Sequence, residues 1–310
     1  MPRIGFGTWQ LGGETTHGGR QTGWGHTDEK EALRAIAHGL DCGIRFFDTA
    51  DSYGKGRSER LLGKALKGKE AIVCTKFGNL EDYTGKAVFD PSPAYMAGAV
   101  EASLKRLRRD TLDILLLHSP PDDFDWKNHD TAPYEKLVAE GKIRRYGLSA
   151  KTLKGAINAL EHGFGSVVEV IYNALDRRAE EQVLPLCAAK NYAFVARVPL
   201  ASGFLSPKYL NDPVAPFPAT DIRAQLPPEV TRWFADSTRK LSFLHELEGG
   251  LSVSALRFSI SHPQVTVAIP GIRKQEHALA ATLAAQLGPL PPAALEEIAR
   301  AVPTTFPGWL

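Results

Sequence analysis

The chain has 310 residues, 43% of them hydrophobic, with 37 Lys and Arg against 35 Asp and Glu. That is ample material for a buried core, and a formal net charge of +2 leaves no electrostatic footprint for nucleic acid or an anionic membrane surface. Three scattered cysteines, Cys42, Cys74 and Cys187, form no C-x-x-C and argue for a reducing compartment over a disulfide framework. Residues 1–7 lack the apolar stretch of a signal peptide, and no run approaches the ~18 apolar residues of a membrane span, so a soluble cytoplasmic protein is expected.

Short apolar runs alternate with longer amphipathic stretches. A strand is expected at residues 4–9. A helix at 28–42 follows, where Ala32, Leu33, Ile36, Ala37 and Leu40 recur at helical spacing. A strand at 44–48 precedes a helix at 58–66, started by Ser58 or its neighbour Arg57, and then a strand at 71–76. The helix at 93–107 has Ser92 in the capping position and Pro93 in its first turn. Its basic end, with Lys105, Arg106, Arg108 and Arg109, reads as a solvated terminus matched to the helix dipole. The strand at 112–118 is nearly continuous Leu and Ile, the composition of a strand buried on both faces. A helix at 131–140, a strand at 143–149, a helix at 153–161, a strand at 167–172, a helix at 180–190 and a strand at 193–198 continue the alternation. A Pro-rich connection from Pro207 to Pro228 leads to helical stretches at 231–248 and 251–261. The last strand is at 265–269, and terminal helices lie at 275–287 and 293–301.

Strands alternating with helices imply a parallel sheet with helical crossovers. An open doubly wound sheet shares that alternation, but no strand here runs into G-x-G-x-x-G. The expected fold is therefore α/β, a single (β/α)8 TIM barrel with extra C-terminal helices, forming one domain over residues 1–310.

In such a barrel, chemistry sits at the C-terminal ends of the strands. The second strand ends at Asp48, the third at Lys76 and the fourth at His118, with Tyr53 on the loop beyond the second. Alone, each is an ordinary turn, core or capping residue; four converging on one rim fit a reaction. A carbonyl that accepts a hydride becomes an alkoxide and needs a proton. A tyrosine hydroxyl can give it once a nearby ammonium offsets its ordinary pKa near 10. Lys76 is the candidate ammonium and Asp48 its anchor. His118 can donate a hydrogen bond to the carbonyl oxygen and orient the substrate.

At these residues the sequence resembles the aldo-keto reductase family, over nearly the whole chain. The resemblance is carried by the runs from Gly5 to Trp9, Phe46 to Gly54, Cys74 to Gly78, Leu115 to Pro120, Gly141 to Ser149 and Ile269 to Arg273. It implies a β/α barrel that uses NADPH, less often NADH, without metal. It also implies Tyr53 as proton donor, supported by Asp48, Lys76 and His118. For the nicotinamide the family pattern places a Ser-Asn pair after the fifth strand, a Gln in the sixth and an aromatic ring from the seventh. Ser149 matches. Ala150 stands at the Asn position, Glu169 at the Gln position and Arg197 at the aromatic position. Glu169 and Arg197 either pair with each other, or Arg197 stacks on the ring and disfavours the positively charged oxidised cofactor. Leu200, Ser202 and Gly203 are candidates along the pyrophosphate path. Arg273, following Gly271 at a helix start and reinforced by Lys274, can grip a 2′-phosphate, which favours NADP over NAD.

The pocket rim is expected to include Trp9, Trp24, His26, Phe77 and Trp126, aromatic company for a ring-bearing or sugar carbonyl. A small-molecule carbonyl is the expected partner. Competing functions weaken on inspection. The first strand has no His for a metal-dependent hydrolase, and Glu70 occupies the Ser/Thr position that a P-loop starting at Gly63 would require. A cofactor-binding regulatory subunit, or a non-redox lyase or epimerase, remains as the alternative.

Overall fold

The computed structural model describes residues 3–211 and 214–303. The ends of the expected domain, residues 1–2 and 304–310, lie outside the described residues, as do 212–213 within the Pro-rich connection. Eight strands follow one another in a single parallel sheet: β1 (Phe6–Gly7), β2 (Phe46–Asp48), β3 (Ile72–Phe77), β4 (Leu112–His118), β5 (Ile143–Ser149), β6 (Val167–Ile171), β7 (Ala193–Arg197) and β8 (Val265–Ile269). The sheet closes on itself. Gly5 N donates to Ala268 O and Gly7 N to Pro270 O, both at 2.8 Å, and Ala268 N returns to Arg3 O at 2.8 Å. The barrel expected from the alternation is thus present.

Helices α1 (Glu29–Asp41), α2 (Arg57–Ala65), α3 (Pro93–Leu107), α4 (Ala132–Ala139), α5 (Leu153–Glu161) and α6 (Val183–Lys190) connect successive strands. After a helical turn at Lys208–Asn211, α7 (Pro228–Lys240) and α8 (Gly250–Ser259) precede β8, and α9 (Gln275–Leu287) and α10 (Pro292–Ala301) end the chain. Caps fix several starts: Asp28 accepts from Glu31 N at 2.8 Å ahead of α1, and Ser92 from Tyr95 N ahead of α3. Ser58 is not the cap of α2. Gly56, at φ +80°, begins that helix. Ser58 turns inward instead, donating to Thr8 Oγ1 at 2.6 Å and meeting Thr49 Oγ1 at 2.9 Å. The basic end of α3 is less solvated than its sequence implies: Arg106 Nε donates to buried Glu59 at 2.5 Å, and Arg109 bonds the Ala71 carbonyl.

Two apolar cores follow from the pleat. The larger lies between sheet and helices. The smaller fills the barrel with Phe46, Cys74, Ile114, Leu116, Val167, Val195, Val267 and Ile269. Successive side chains on a strand point to opposite faces, so the residue two beyond each of these faces inward one layer nearer the C-terminal mouth. That rule delivers Asp48, Lys76, His118, Glu169, Arg197 and Gly271 to one level.

Some boundaries depart from the sequence reading. The first strand shortens to two residues plus a bridge at Ile4, and the helix expected at 231–248 breaks into α7 and a 3₁₀ turn at Ser242–His245. Two small hairpins, Thr16–His17 with Arg20–Gln21 and Asn79–Glu81 with Ala87–Phe89, decorate the loops after β1 and β3. Among the described residues, no helix is long and apolar enough to cross a membrane.

Candidate active site

Lys76 lies at the centre of the polar layer. It is fully buried, donates to Asp48 Oδ2 at 2.5 Å and to the Thr49 carbonyl at 3.0 Å, and lies 3.3 Å from Glu169 Oε2. Burial works against its charge, but the carboxylates of Asp48 and Glu169 hold its pKa well above the ordinary lysine value. Asp48, Glu169 and Cys74 Sγ approach one another closely enough to suit a cation. The Lys76 ammonium already fills that position. Asp48 is pushed above the usual carboxylate range by burial and by the Glu169 carboxylate, against the pull of Lys76.

Tyr53 covers this cluster. Lys76 Nζ is 5.2 Å from its ring centre, and the His118 ring meets it edge-on at 5.8 Å. Burial drives the Tyr53 hydroxyl above its ordinary pKa; Lys76 pulls it down, Asp48 and Glu169 push it up, and Arg197 pulls down again. His118 is held well below the usual histidine value by burial and by the positive charges of Lys76 and Arg197, so it is neutral at pH 7. Ser52 Oγ lies 3.5 Å from its Nδ1. Asp48, Lys76 and His118 therefore share one layer at the strand ends, with the Tyr53 ring beside Lys76 and His118.

Glu169 does not pair with Arg197, a correction to the pairing entertained from sequence. Its Oε1 accepts from Ser149 Oγ at 3.0 Å and its Oε2 faces Lys76. Among the described residues Arg197 has no ion pair; it donates to the carbonyls of Ala150 and Lys151, both at 3.1 Å, at the open side of the cluster. Both carboxylate and guanidinium point inward, but Lys76 lies within ion-pair distance of Glu169 and takes its place.

The rim differs from expectation. Trp9 stacks on Tyr53 at 6.0 Å and meets Trp24 edge-on at 5.3 Å, so these two border the mouth. His26 is exposed. Phe77 is 1% exposed and packs outside the barrel near Tyr95 and Tyr134. Because Lys76 faces inward, the next residue must face out. Trp126 is 6% exposed and packs on Phe164 at 4.5 Å and Phe124 at 4.6 Å, in the outer core beneath the loop after β4. Neither belongs to the rim.

The loop after β7 carries a run of strain. Val198, Ala201 and Ser202 all have φ near +50°, a region costly for residues with a Cβ and for Val most of all. Ser202 is buried, and its carbonyl accepts from Arg223 Nη1 at 3.2 Å. Leu200 beside it is partly exposed. Arg223 pairs with Asp221 at 2.7 Å and lies over the rings of Phe217 and Trp24. Through these contacts the Pro-rich connection crosses to the loop after β1, where Asp221 bridges Trp24 and Thr220 accepts from Gly25 N. The sequence reading missed Arg223 and Gln10. Arg223 sits in a segment with no periodicity to place it. Gln10 covers Gly271 so closely that a Cβ there would lie 2.0 Å from its amide nitrogen.

The residues fit a nicotinamide dinucleotide. Glu169 Oε2 is a buried acceptor with no hydrogen bond, available to a carboxamide N–H, and Ser149 supplies a hydroxyl beside it. At the other end, Lys274 opens α9 without a side-chain cap, leaving backbone N–H groups of the first turn for an anion. Among the described residues neither Arg273 nor Lys274 has an acidic partner, and the one side-chain bond of Arg273, to the Trp24 carbonyl, is long at 3.4 Å.

Comparison with known proteins agrees with this geometry. The model of the aldo/keto reductase family matches residues 3–302. An aldo-keto reductase of Bacillus subtilis, YhdN, is 31% identical over 88% of this chain and 81% of its own length. An NADH-specific methylglyoxal reductase of Escherichia coli is 31% identical over 66% of each. The structure of an aldo-keto reductase from Klebsiella pneumoniae in complex with NADPH superposes with a TM-score of 0.72 at 25% identity, covering 100% of this chain and 95% of that one. The chain belongs to the aldo/keto reductase family, a family of oxidoreductases.

Proposed function

We propose that this protein is a cytoplasmic, single-domain, NADPH-dependent reductase that converts the aldehyde or ketone of a small molecule to an alcohol, with Tyr53 as proton donor. The observation that carries the reading is the buried Lys76, bonded to Asp48 and lying 5.2 Å from the ring centre of Tyr53, with His118 at the ring's edge. Bound NADPH supplies the hydride. Tyr53 gives its proton to the carbonyl oxygen, and Lys76 steadies the phenolate that remains. Asp48 fixes the ammonium so that this stabilisation needs no reorganisation. Neutral His118 can donate one hydrogen bond to the same oxygen without competing as an acid. Trp9 and Trp24 at the mouth, with exposed His26 assigned to the same rim, suit a sugar or aromatic carbonyl. Nothing in the charge balance calls for nucleic acid or a membrane as partner.

Ser149, Glu169 and Arg197 are assigned to the nicotinamide end. Leu200 and Ser202 are assigned to the pyrophosphate path, and Gly271, Arg273 and Lys274 to the adenosine end. The NADPH bound in the Klebsiella relative supports NADP as the cofactor, while the NADH-specific Escherichia relative keeps NAD as the competitor to test against. Binding of NADPH and NADH, followed by quenching of tryptophan fluorescence, makes that test. Wild type is expected to bind NADPH more tightly than NADH. Arg273→Ala is expected to lose roughly tenfold or more for NADPH and little for NADH, the scale of a charge-assisted hydrogen bond. An Arg273→Ala chain that keeps the NADPH preference refutes the assignment. Tight binding with no consumption of NADPH by any carbonyl would move the reading to a cofactor-sensing subunit or to lyase or epimerase chemistry.

A further inference from the structure

Lys76 is in contact with more negative charge than it needs. Asp48 Oδ2, at 2.5 Å, already balances the ammonium. Glu169, 2% exposed, adds a second carboxylate at 3.3 Å, and that oxygen accepts no hydrogen bond. Its other oxygen is fixed by Ser149 Oγ at 3.0 Å, so the side chain cannot swing away without breaking a buried bond. A buried charge held in this way needs a reason, because taking a carboxylate out of water is costly unless a partner compensates it.

We propose that Glu169 is a positioning residue that keeps Tyr53 in its protonated, proton-donating form by placing a second carboxylate on Lys76. The inference rests on the reading of Tyr53 as proton donor. A lone ammonium close to a phenol stabilises the phenolate and makes the tyrosine an effective base as well as an acid. Here, in the alkaline range where a phenol ionises, one ammonium faces two carboxylates. The groups around Tyr53 are Asp48 from β2, Cys74 and Lys76 from β3, His118 from β4, Glu169 from β6 and Arg197 from β7. Of these, neutral His118 adds no charge, and burial holds the Cys74 thiol protonated. Arg197 is the only other cation, and its guanidinium is turned to the Ala150 and Lys151 carbonyls. Asp48 and Glu169 both oppose ionisation of Tyr53. The consequence is directional: Tyr53 stays a donor for carbonyl reduction well into the alkaline range and becomes a base for alcohol oxidation only at higher pH.

Glu169→Gln removes the charge, keeps the shape and the bond from Ser149, and leaves Lys76 paired to Asp48. The Tyr53 resonance is followed by NMR in cofactor-free protein carrying ring-labelled tyrosine, and assigned by its absence from Tyr53→Phe. In Glu169→Gln its titration is expected to fall by about one pH unit relative to wild type. The alkaline limb of kcat for reduction is expected to move down with it. Glu169→Met, which also lacks the charge, has to move the titration the same way. Coincident titrations, including two that both stay flat up to the unfolding limit, overturn the proposal. So does a variant that loses NADPH affinity while its titration stays in place, which would make Glu169 a cofactor contact only. If wild type consumes no NADPH with any carbonyl while the titrations differ, the reductase reading falls and the action of Glu169 on Tyr53 stands.

Discussion

Arg197 is proposed to set the preference between the two redox forms of the cofactor. It carries a positive charge on the open side of the polar layer, without an acidic partner among the described residues and with Nη2 bonded to two backbone carbonyls. The oxidised nicotinamide ring is positively charged and the reduced ring is neutral, so a nearby guanidinium penalises only the oxidised form. Wild type is therefore expected to bind NADPH more tightly than NADP⁺, and Arg197→Ala to narrow that ratio several-fold, chiefly by improving NADP⁺ binding. Paired dissociation constants measure this; an unchanged ratio removes Arg197 from the account. The polar layer was largely legible at this scale. Asp48, Lys76 and His118 stand at strand ends, where inward-facing residues meet the mouth, and their types carry the proposed chemistry. Phe77 and Trp126 were misplaced for a reason the sequence also holds. Alternation turns Phe77 outward as soon as Lys76 is inward, and Trp126 lies in a loop whose aromatic neighbours Phe124 and His129 offer it a dry core.

The loop after β2 is the element on which the proposed chemistry depends, and α2 holds it. Thr8 Oγ1 donates to the Asp48 carbonyl at 2.7 Å, Ser58 ties Thr8 to Thr49, and Thr75 donates to Glu59 Oε1 at 2.7 Å. These short polar links fix the base of the loop that presents Tyr53. They also explain why a Ser at the start of α2 serves the barrel and not the helix end. The same loop has a pH-sensitive member. Asp51 has one oxygen shut off from solvent without a partner, and burial, with the Glu59 carboxylate adding, pushes its pKa up to about 7. The folded chain then holds this proton more tightly than the unfolded chain, whose Asp titrates near 3.8. Stability from this group is full below that value and is lost as pH rises through about 7. For a partly exposed side chain the loss is on the order of 2 kcal/mol. Asp51→Asn is thus expected to exceed wild type by about that amount in urea unfolding at pH 8 and to match it near pH 4. An equal difference at both pH values would contradict the linkage.

Across the whole molecule, the alternation of apolar runs and helices was enough to specify a parallel sheet with helical crossovers, because each strand that is buried on both faces announces itself by composition. Closure was not readable from any one segment. It depends on Gly5 and Gly7 meeting Ala268 and Pro270 across nearly the full length of the chain. The hairpins after β1 and β3 were also hidden, being two- and three-residue strands set among glycines and polar residues. So was the crossing of the Pro-rich connection to Trp24, which rests on Arg223 and Asp221 and has no local pattern. What the closed barrel achieves is convergence: residues from β2, β3, β4 and β6, distant in sequence, meet around one lysine. On the proposed reading, this convergence makes Tyr53 a proton donor to a carbonyl. Its most direct test is the consumption of NADPH with a panel of simple aldehydes and ketones by wild type and by Tyr53→Phe, with NADPH affinity measured on both. Turnover is expected in wild type and a loss of roughly a hundredfold or more in the variant, with NADPH binding retained. Equal turnover in the two proteins would contradict that reading.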